Sequence, residues 1–268
     1  MQLNRADPIL VTGSAGSIGR AAVSGLLAAG WRVRGFDRFP TPGTDDFVVG
    51  DLGNASVLRK AADGAAAIIH LAAVPDDDDF LSRLLPNNVV GLHNVLEAAR
   101  LGGVNRVLLA STGQVVWWQL LEGPWPIGPD SPYTPRDWYA VTKIAAENAG
   151  RVYARNYTLT VLALRLGWFP RDRKHAAEVG RTVRGPNIYL SPGDAGRFFA
   201  RAMEAPLEPG FSIVYVASRP TNRIIFDLEP TKRLVGWEPQ DQWPSGVEHL
   251  LPAPAAHHSS SGVEERKA

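Results

Sequence analysis

Val11-Thr12-Gly13-Ser14-Ala15-Gly16-Ser17-Ile18-Gly19 follows the apolar run Pro8-Ile9-Leu10-Val11 and leads into an alanine-rich segment with helical spacing. Strand, tight turn and helix in that order make the cradle that a dinucleotide pyrophosphate needs. Gly13 can take φ > 0 at the sharp turn, Gly16 lets the backbone approach the phosphates without a Cβ in the way, and Gly19 lets the helix pack closely on the strand. Ser14, Ser17 and Ile18 complete the turn. The phosphates would sit at the helix N-terminus, where unpaired N–H groups and the positive end of the helix dipole favour an anion. Three glycines at this spacing also occur in ordinary strand-to-helix turns, so confirmation must come from the rest of the chain.

Outward from the turn, strands and helices alternate. Residues 17–29 carry a helical stripe at Ile18, Ala22 and Leu26, and Gly30 ends it as a C-terminal glycine should. Residues 31–36 alternate as a second strand ending at Asp37, in the region where a carboxylate can accept hydrogen bonds from an adenosine ribose. A carboxylate there repels a 2′-phosphate, which favours NAD over NADP; Arg38 beside it could pair with that phosphate and pulls the other way. A turn-forming Asp at a strand end is the plain alternative for Asp37. Residues 47–50 read as a third strand before Asp51-Leu52, and 55–62 as a helix. The apolar run 65–73 reads as a central parallel strand buried on both faces.

Asp76 to Asp79 form an acidic run without ordered ligand spacing. Helix capping explains it better than a metal does, and no metal site is expected. Residues 80–101 read as one long helix with a break or kink at Pro86, and 106–111 as a fifth strand. The pattern implies an α/β fold, a Rossmann-like doubly wound parallel sheet. Gly13, Asp37, Asp51, Ala72 and Ser111-Thr112 then fall at strand ends, where ligands bind in such sheets. A helix from Pro132 or Pro135 to Tyr157, a sixth strand at 159–165 and a final strand at 211–216 follow. The segments near 170–190 and 220–250 read as insertions around that last strand. The expected organisation is a dinucleotide-binding domain at 1–168, a small substrate lobe at 169–251 with the final sheet strand interleaved, and a polar, disordered tail at 252–268.

Composition narrows the function classes. The 268 residues are 45% apolar and 21% charged, with 28 basic against 27 acidic side chains, so no field favours nucleic acid or an anionic membrane. The absence of cysteine excludes disulfides, thiolate catalysis and Cys-ligated zinc. Met1 to Asp7 show no signal-peptide pattern and no apolar run is long enough to span a bilayer, so a cytoplasmic protein is expected.

Chemistry enters with Trp138-Tyr139-Ala140-Val141-Thr142-Lys143, which puts a phenol and an ammonium one helical turn apart on one face. A phenol of pKa near 10 acting as a base at pH 7 must be brought down about three units, roughly 4 kcal/mol. The Lys143 ammonium and an oxidised nicotinamide, both positive, push that way. Thr112, at a strand end opposite, can hydrogen-bond the reacting oxygen. The plain alternative is a solvated helical pair. Trp117, Trp118, Trp125, Trp138 and Trp168 flank these segments; their faces could stack on a substrate, with core packing the default for each. Arg171, Arg173, Lys174 and His175 could clamp an anionic group or form a solvated basic loop.

Through Thr12 to Gly19, Gly50-Asp51-Leu52, His70-Leu71-Ala72-Ala73, Asn88 to Ala98, Ala110-Ser111-Thr112 and Tyr139 to Lys143, the chain resembles the extended short-chain dehydrogenase/reductase superfamily, in its NAD-dependent epimerase/dehydratase family. The resemblance implies that Asp51 and Leu52 contact adenine and that Leu71, Ala72, Ala73, Asn88 and Ser111 line the cofactor. It further implies that Thr112, Tyr139 and Lys143 are catalytic, with Lys143 also holding the nicotinamide ribose, and that two copies pair through helices 80–101 and 137–157.

Arg165 to Pro170, Tyr189 to Asp194 and Leu234 to Pro239 look most like the uronate dehydrogenase branch. That branch has Asn-His where this chain has Gly113-Gln114, and Ser where it has Trp168. Those positions, with Val74 and Arg173, are the candidate substrate residues. The implied activity is hydride transfer from a sugar or sugar-acid hydroxyl to NAD, with a small-molecule substrate. An epimerase or dehydratase that retains its NAD is the alternative, and a non-catalytic cofactor sensor an alternative of another class.

Overall fold

The computed structural model describes residues 3–250; the tail expected at 252–268 lies outside the described residues. Seven strands form one parallel sheet in the order β3-β2-β1-β4-β5-β6-β7. They are β1 (Ile9–Thr12), β2 (Val33–Asp37), β3 (Phe47–Val49), β4 (Ala67–His70), β5 (Arg106–Thr112), β6 (Thr160–Leu166) and β7 (Gly210–Val216). The chain order reverses between β1 and β4, whose register pairs Thr12 with His70. That reversal opens a crevice at the carboxyl ends of the two strands, the place where such sheets bind ligands.

Helices cover both faces, which is why β1, β4 and β6 are buried along their whole length. On one face α1 (Ser17–Ala28) and α8 (Pro192–Glu204) pack over Val11, Ile69, Leu164 and Val214. On the other, α2 (Ala55–Ala62), α3 (Gly91–Leu101) and α5 (Trp138–Tyr157) cover Leu10, Ile68, Val107 and Val161. The short helices α4 (Trp117–Glu122), α6 (Arg173–Arg181), α7 (Gly185–Ile188) and α9 (Glu229–Val235) lie in the connections. A third apolar cluster, with Val115, Ile127, Tyr215 and Phe226 at its centre and Trp117 and Trp168 against it, forms beyond the ends of β5, β6 and β7. Within the stretch expected as a substrate lobe, α8 and β7 belong to the sheet and its helical layer.

Two helices differ from expectation. Residues Phe80–Val90 are wound as a π-helix that runs into α3, so the chain widens around Pro86 instead of breaking there. Proline removes one N–H and crowds the preceding turn, and the wider winding accommodates both. Helix α5 starts at Trp138, later than Pro132 or Pro135, because Asp137 accepts a hydrogen bond from the Ala140 N–H at 2.9 Å and caps it there. Thr134 upstream is bonded to Val115 (N–H to carbonyl, 2.8 Å).

Candidate active site

Gly13 has φ +72°, and a Cβ on it would lie 2.6 Å from the Ala72 nitrogen; a Cβ on Gly19 would lie 2.0 Å from the Gly13 carbonyl oxygen. The turn is closed against β4 and its own helix, so only glycine fits. Gly16 stands at the N-cap of α1 with no side chain bonded to the first-turn N–H groups, which leaves those donors for an anion. Asp37 accepts from the Ala15 N–H (3.1 Å) and the Phe39 N–H (3.3 Å), tying β2 to the turn. Gly13, Gly16, Asp37, Arg38, Asp51 and Leu52 line one cavity of ≈160 Å³ with the stretch from Leu71 to Val74. These are a dinucleotide's requirements, met by residues from four strand ends: a glycine cradle for the pyrophosphate and a carboxylate beside the ribose position.

Other expected cofactor residues are placed differently. Ser14 is buried, its hydroxyl 2.5 Å from that of Thr41. Ser17 hydrogen-bonds the Arg171 carbonyl at 3.4 Å. Asn88 is buried and spends its amide on Val74, accepting from its N–H (2.8 Å) and donating to its carbonyl (3.1 Å), and on the Thr142 hydroxyl (3.2 Å). It therefore ties the loop after β4 to α5, one residue before Lys143. Ser111 turns into the protein and donates to Glu147 at 2.6 Å.

Tyr139 and Lys143 share one face of α5, with the Lys143 Nζ 5.5 Å from the phenol ring centroid. Nζ donates to the Ala110 carbonyl at 3.0 Å, which anchors the ammonium to β5 two residues from Thr112. Thr112 ends β5, and its hydroxyl accepts from the Gln114 N–H at 3.2 Å. Burial lowers Lys143 from its ordinary 10.5 to about 8. Burial raises the Tyr139 phenol, Asp76 and Asp137 push it further the same way, and Arg171 opposes them. These surroundings hold the phenol protonated, and a base at this position needs added positive charge.

Among the substrate candidates, Val74 lines the dinucleotide cavity. Gly113 is buried; a Cβ on it would come within 2.8 Å of the Phe226 ring. The Gln114 amide oxygen is buried with no hydrogen-bond partner. Trp168 is half-buried and donates its indole N–H to His175 at 2.8 Å. Arg173 is exposed and reaches the Glu248 carbonyl at 3.4 Å. Of the basic loop it is Arg171 that faces the site, paired with Asp76 at 2.7 Å. Asp79 caps the π-helix by accepting from the Ser82 N–H at 2.8 Å. Among the described residues no group of three or more His, Cys, Asp and Glu could hold a metal ion, and no helix is long and apolar enough to cross a membrane.

One group absent from the expectations lies beneath the site. Glu147 and Arg165 form a fully buried ion pair at 3.0 Å, joined by the Ser111 and Tyr133 hydroxyls. An arginine inside an otherwise apolar strand, and a glutamate four residues past Lys143, were its sequence signals.

The model of the NAD dependent epimerase/dehydratase family matches residues 9–169. The chain is 32% identical over 262 residues to an L-arabinose 1-dehydrogenase (NAD(P)(+)) of Haloferax volcanii, covering 90% of this chain and 99% of that one. It is 28% identical over 255 residues to an NAD-dependent glucose-6-phosphate dehydrogenase of the same organism, covering 88% and 94%. A crystal structure of a glucuronic acid dehydrogenase from Chromohalobacter salexigens superposes with a TM-score of 0.74 at 27% identity, covering 91% of this chain and 88% of that one. The glycine cradle, the seven-stranded parallel sheet and a family match over more than half of the sequence agree: the chain belongs to the NAD-dependent epimerase/dehydratase family.

Proposed function

We propose that the protein is an NAD-dependent dehydrogenase that oxidises a hydroxyl of a sugar or sugar acid, with the anomeric hydroxyl of an aldose as the reacting group. The observation that carries this reading is the placement of Tyr139 and Lys143 on one face of α5, with the ammonium tied to the Ala110 carbonyl of the strand that ends in Thr112. Gly13, Gly16, Asp37, Asp51 and Leu52 hold the dinucleotide, and the Asp37 carboxylate favours NAD over NADP. When bound, NAD supplies the hydride acceptor and a positive ring.

Tyr139 Oη takes the substrate hydroxyl proton. The Lys143 ammonium stabilises the phenolate, and the Thr112 hydroxyl orients the reacting oxygen. Asn88 sets the distance between the loop carrying Ala72 to Val74 and α5. The exposed Leu81, Val90, Val141 and Val152, on the π-helix and α5, support pairing of two copies through these helices in a cytoplasmic homodimer.

A panel of aldoses and uronates assayed with NAD and NADP tests the reading. Net NADH from a free sugar, lost in Tyr139→Phe, is expected. Sugar turnover with no net NADH would instead favour an NAD-retaining epimerase. Mass measurement in solution tests the dimer.

A further inference from the structure

Trp117 carries two guanidiniums: Arg136 Cζ lies 4.6 Å from its ring centroid and Arg184 Cζ 4.7 Å. A guanidinium stacked on an aromatic face keeps its N–H edge free for an anion. The Arg184 side chain is half-buried and its guanidinium has no hydrogen-bond or ion-pair partner among the described residues. Arg136 meets one acid, Asp137, at 3.7 Å, through the carboxylate oxygen that does not cap α5; the other oxygen accepts from the Ala140 N–H at 2.9 Å. Two cations sharing one indole, with one distant acid contact, repel each other until an anion joins them.

We infer that Arg136 and Arg184 form a subsite for the phosphate of a phosphorylated aldose, which rests on the dehydrogenase reading and adds the class of sugar to it. The position is right for a substrate's far end. The Arg136 N–H bonds the Gln114 carbonyl at 3.3 Å, two residues past Thr112, and Arg136 precedes Tyr139 by three residues. Three residues of chain span at most about 10 Å, so a sugar whose hydroxyl meets Tyr139 can lay a terminal phosphate against Arg136. Trp117 packs on the same apolar cluster as Trp168. A phosphate monoester, close to a dianion at neutral pH with three acceptor oxygens, occupies two guanidinium forks, whereas one fork satisfies a carboxylate.

The test begins with titration calorimetry of inorganic phosphate into protein saturated with NADH, so that the pyrophosphate turn is already filled. Saturable binding is expected, weakened about tenfold or more in Arg184→Met and Arg136→Met, with circular dichroism and NADH affinity confirming that each variant folds. Absence of binding, or equal binding in the variants, overturns the inference. The second arm compares kcat/KM for an aldose phosphate with that for the same unphosphorylated aldose. The ratio is expected above one and to fall about tenfold or more in either variant. An unmoved ratio, or a uronate preferred to the aldose phosphate, overturns the inference. If no sugar reduces NAD, the dehydrogenase reading fails while the phosphate titration still decides the subsite.

Discussion

Glu147 and Arg165 meet as a two-pronged ion pair, Arg165 Nε to Glu147 Oε1 and Nη2 to Oε2 both at 3.0 Å, with side chains 0% and 1% exposed. Glu147 sits one turn after Lys143 on α5, and Arg165 sits on β6 opposite Ser111. The pair therefore clamps the helix that carries the phenol and ammonium onto β6, and the Ser111 hydroxyl ties the same carboxylate to β5, the strand that carries Thr112. Glu147 also accepts from Ser111 and Tyr133, while Arg165 donates to the Tyr215 hydroxyl and the Pro129 carbonyl, so all three of its side-chain nitrogens are engaged.

Removing one partner strands the other charge where water does not reach. Glu147→Gln is expected to cost about 3–5 kcal/mol of stability, read by urea denaturation. The paired change Glu147→Met with Arg165→Met removes both charges and is expected to recover most of the loss. A double variant no more stable than Glu147→Gln would count against the clamp acting through charge.

Activity should follow two titrations with opposite signs. The phenol must lose its proton to act as a base, so kcat rises with pH. Lys143, held at about 8, must keep its proton to stabilise the phenolate, so the rise fails as pH passes about 8. The expected pH–rate profile is a rise followed by a fall with its alkaline limb near pH 8. A profile still climbing at pH 10 would contradict the role given to Lys143.

What was legible in the sequence is what local period and turn chemistry set. The glycine turn, the succession of strands and helices through β5 and the Tyr139–Lys143 spacing each need only a few adjacent residues to be read, and helix 55–62 falls where its capping Asn54 puts it. Contacts made across the sheet were not legible. The family resemblance put Ser111 on the cofactor; what no local pattern showed is that alternation along β5 turns its hydroxyl toward Glu147. Asn88 was expected on the cofactor too, and its partners, Val74 and Thr142, come from segments far apart in the chain. Arg171 rather than Arg173 faces the site because Asp172 caps α6 at His175, so the helix carries Arg173 outward to Glu248.

Gly19→Ala is a sharp test of the turn. Its Cβ would overlap the Gly13 carbonyl oxygen at 2.0 Å, and the nearest atoms are all backbone of Gly13 and Ser14, so no flexible side chain can give way. Loss of NADH binding by fluorescence titration is expected, with Tm also lowered.

Asp37→Ala removes the carboxylate beside the ribose position and leaves Arg38 in place. A 2′-phosphate then meets a guanidinium without the like charge, and the NADP-to-NAD ratio of kcat/KM is expected to rise about tenfold or more. Because Asp37 also holds the Ala15 N–H, NAD affinity should fall in the same variant. An unchanged ratio would show that Asp37 serves the turn alone.

Lys143 should make the fold less stable at neutral pH. Its pKa is about 8 folded and 10.5 ordinarily, so between those values the unfolded chain binds more protons and stability rises with pH. Below pH 8 both states are protonated and the full cost of burying the charge is present, on the order of 3 kcal/mol; above 10.5 both are neutral and it is gone. Lys143→Met loses the hydrogen bond to the Ala110 carbonyl, which offsets part of the gain. The variant is therefore expected to be inactive yet roughly 1–3 kcal/mol more stable than the parent at pH 7. Urea denaturation of both proteins at pH 7 and pH 10 reads the difference directly, and that difference should shrink at the higher pH. A gap that stays constant with pH would mean that packing, and not the buried charge, separates the two.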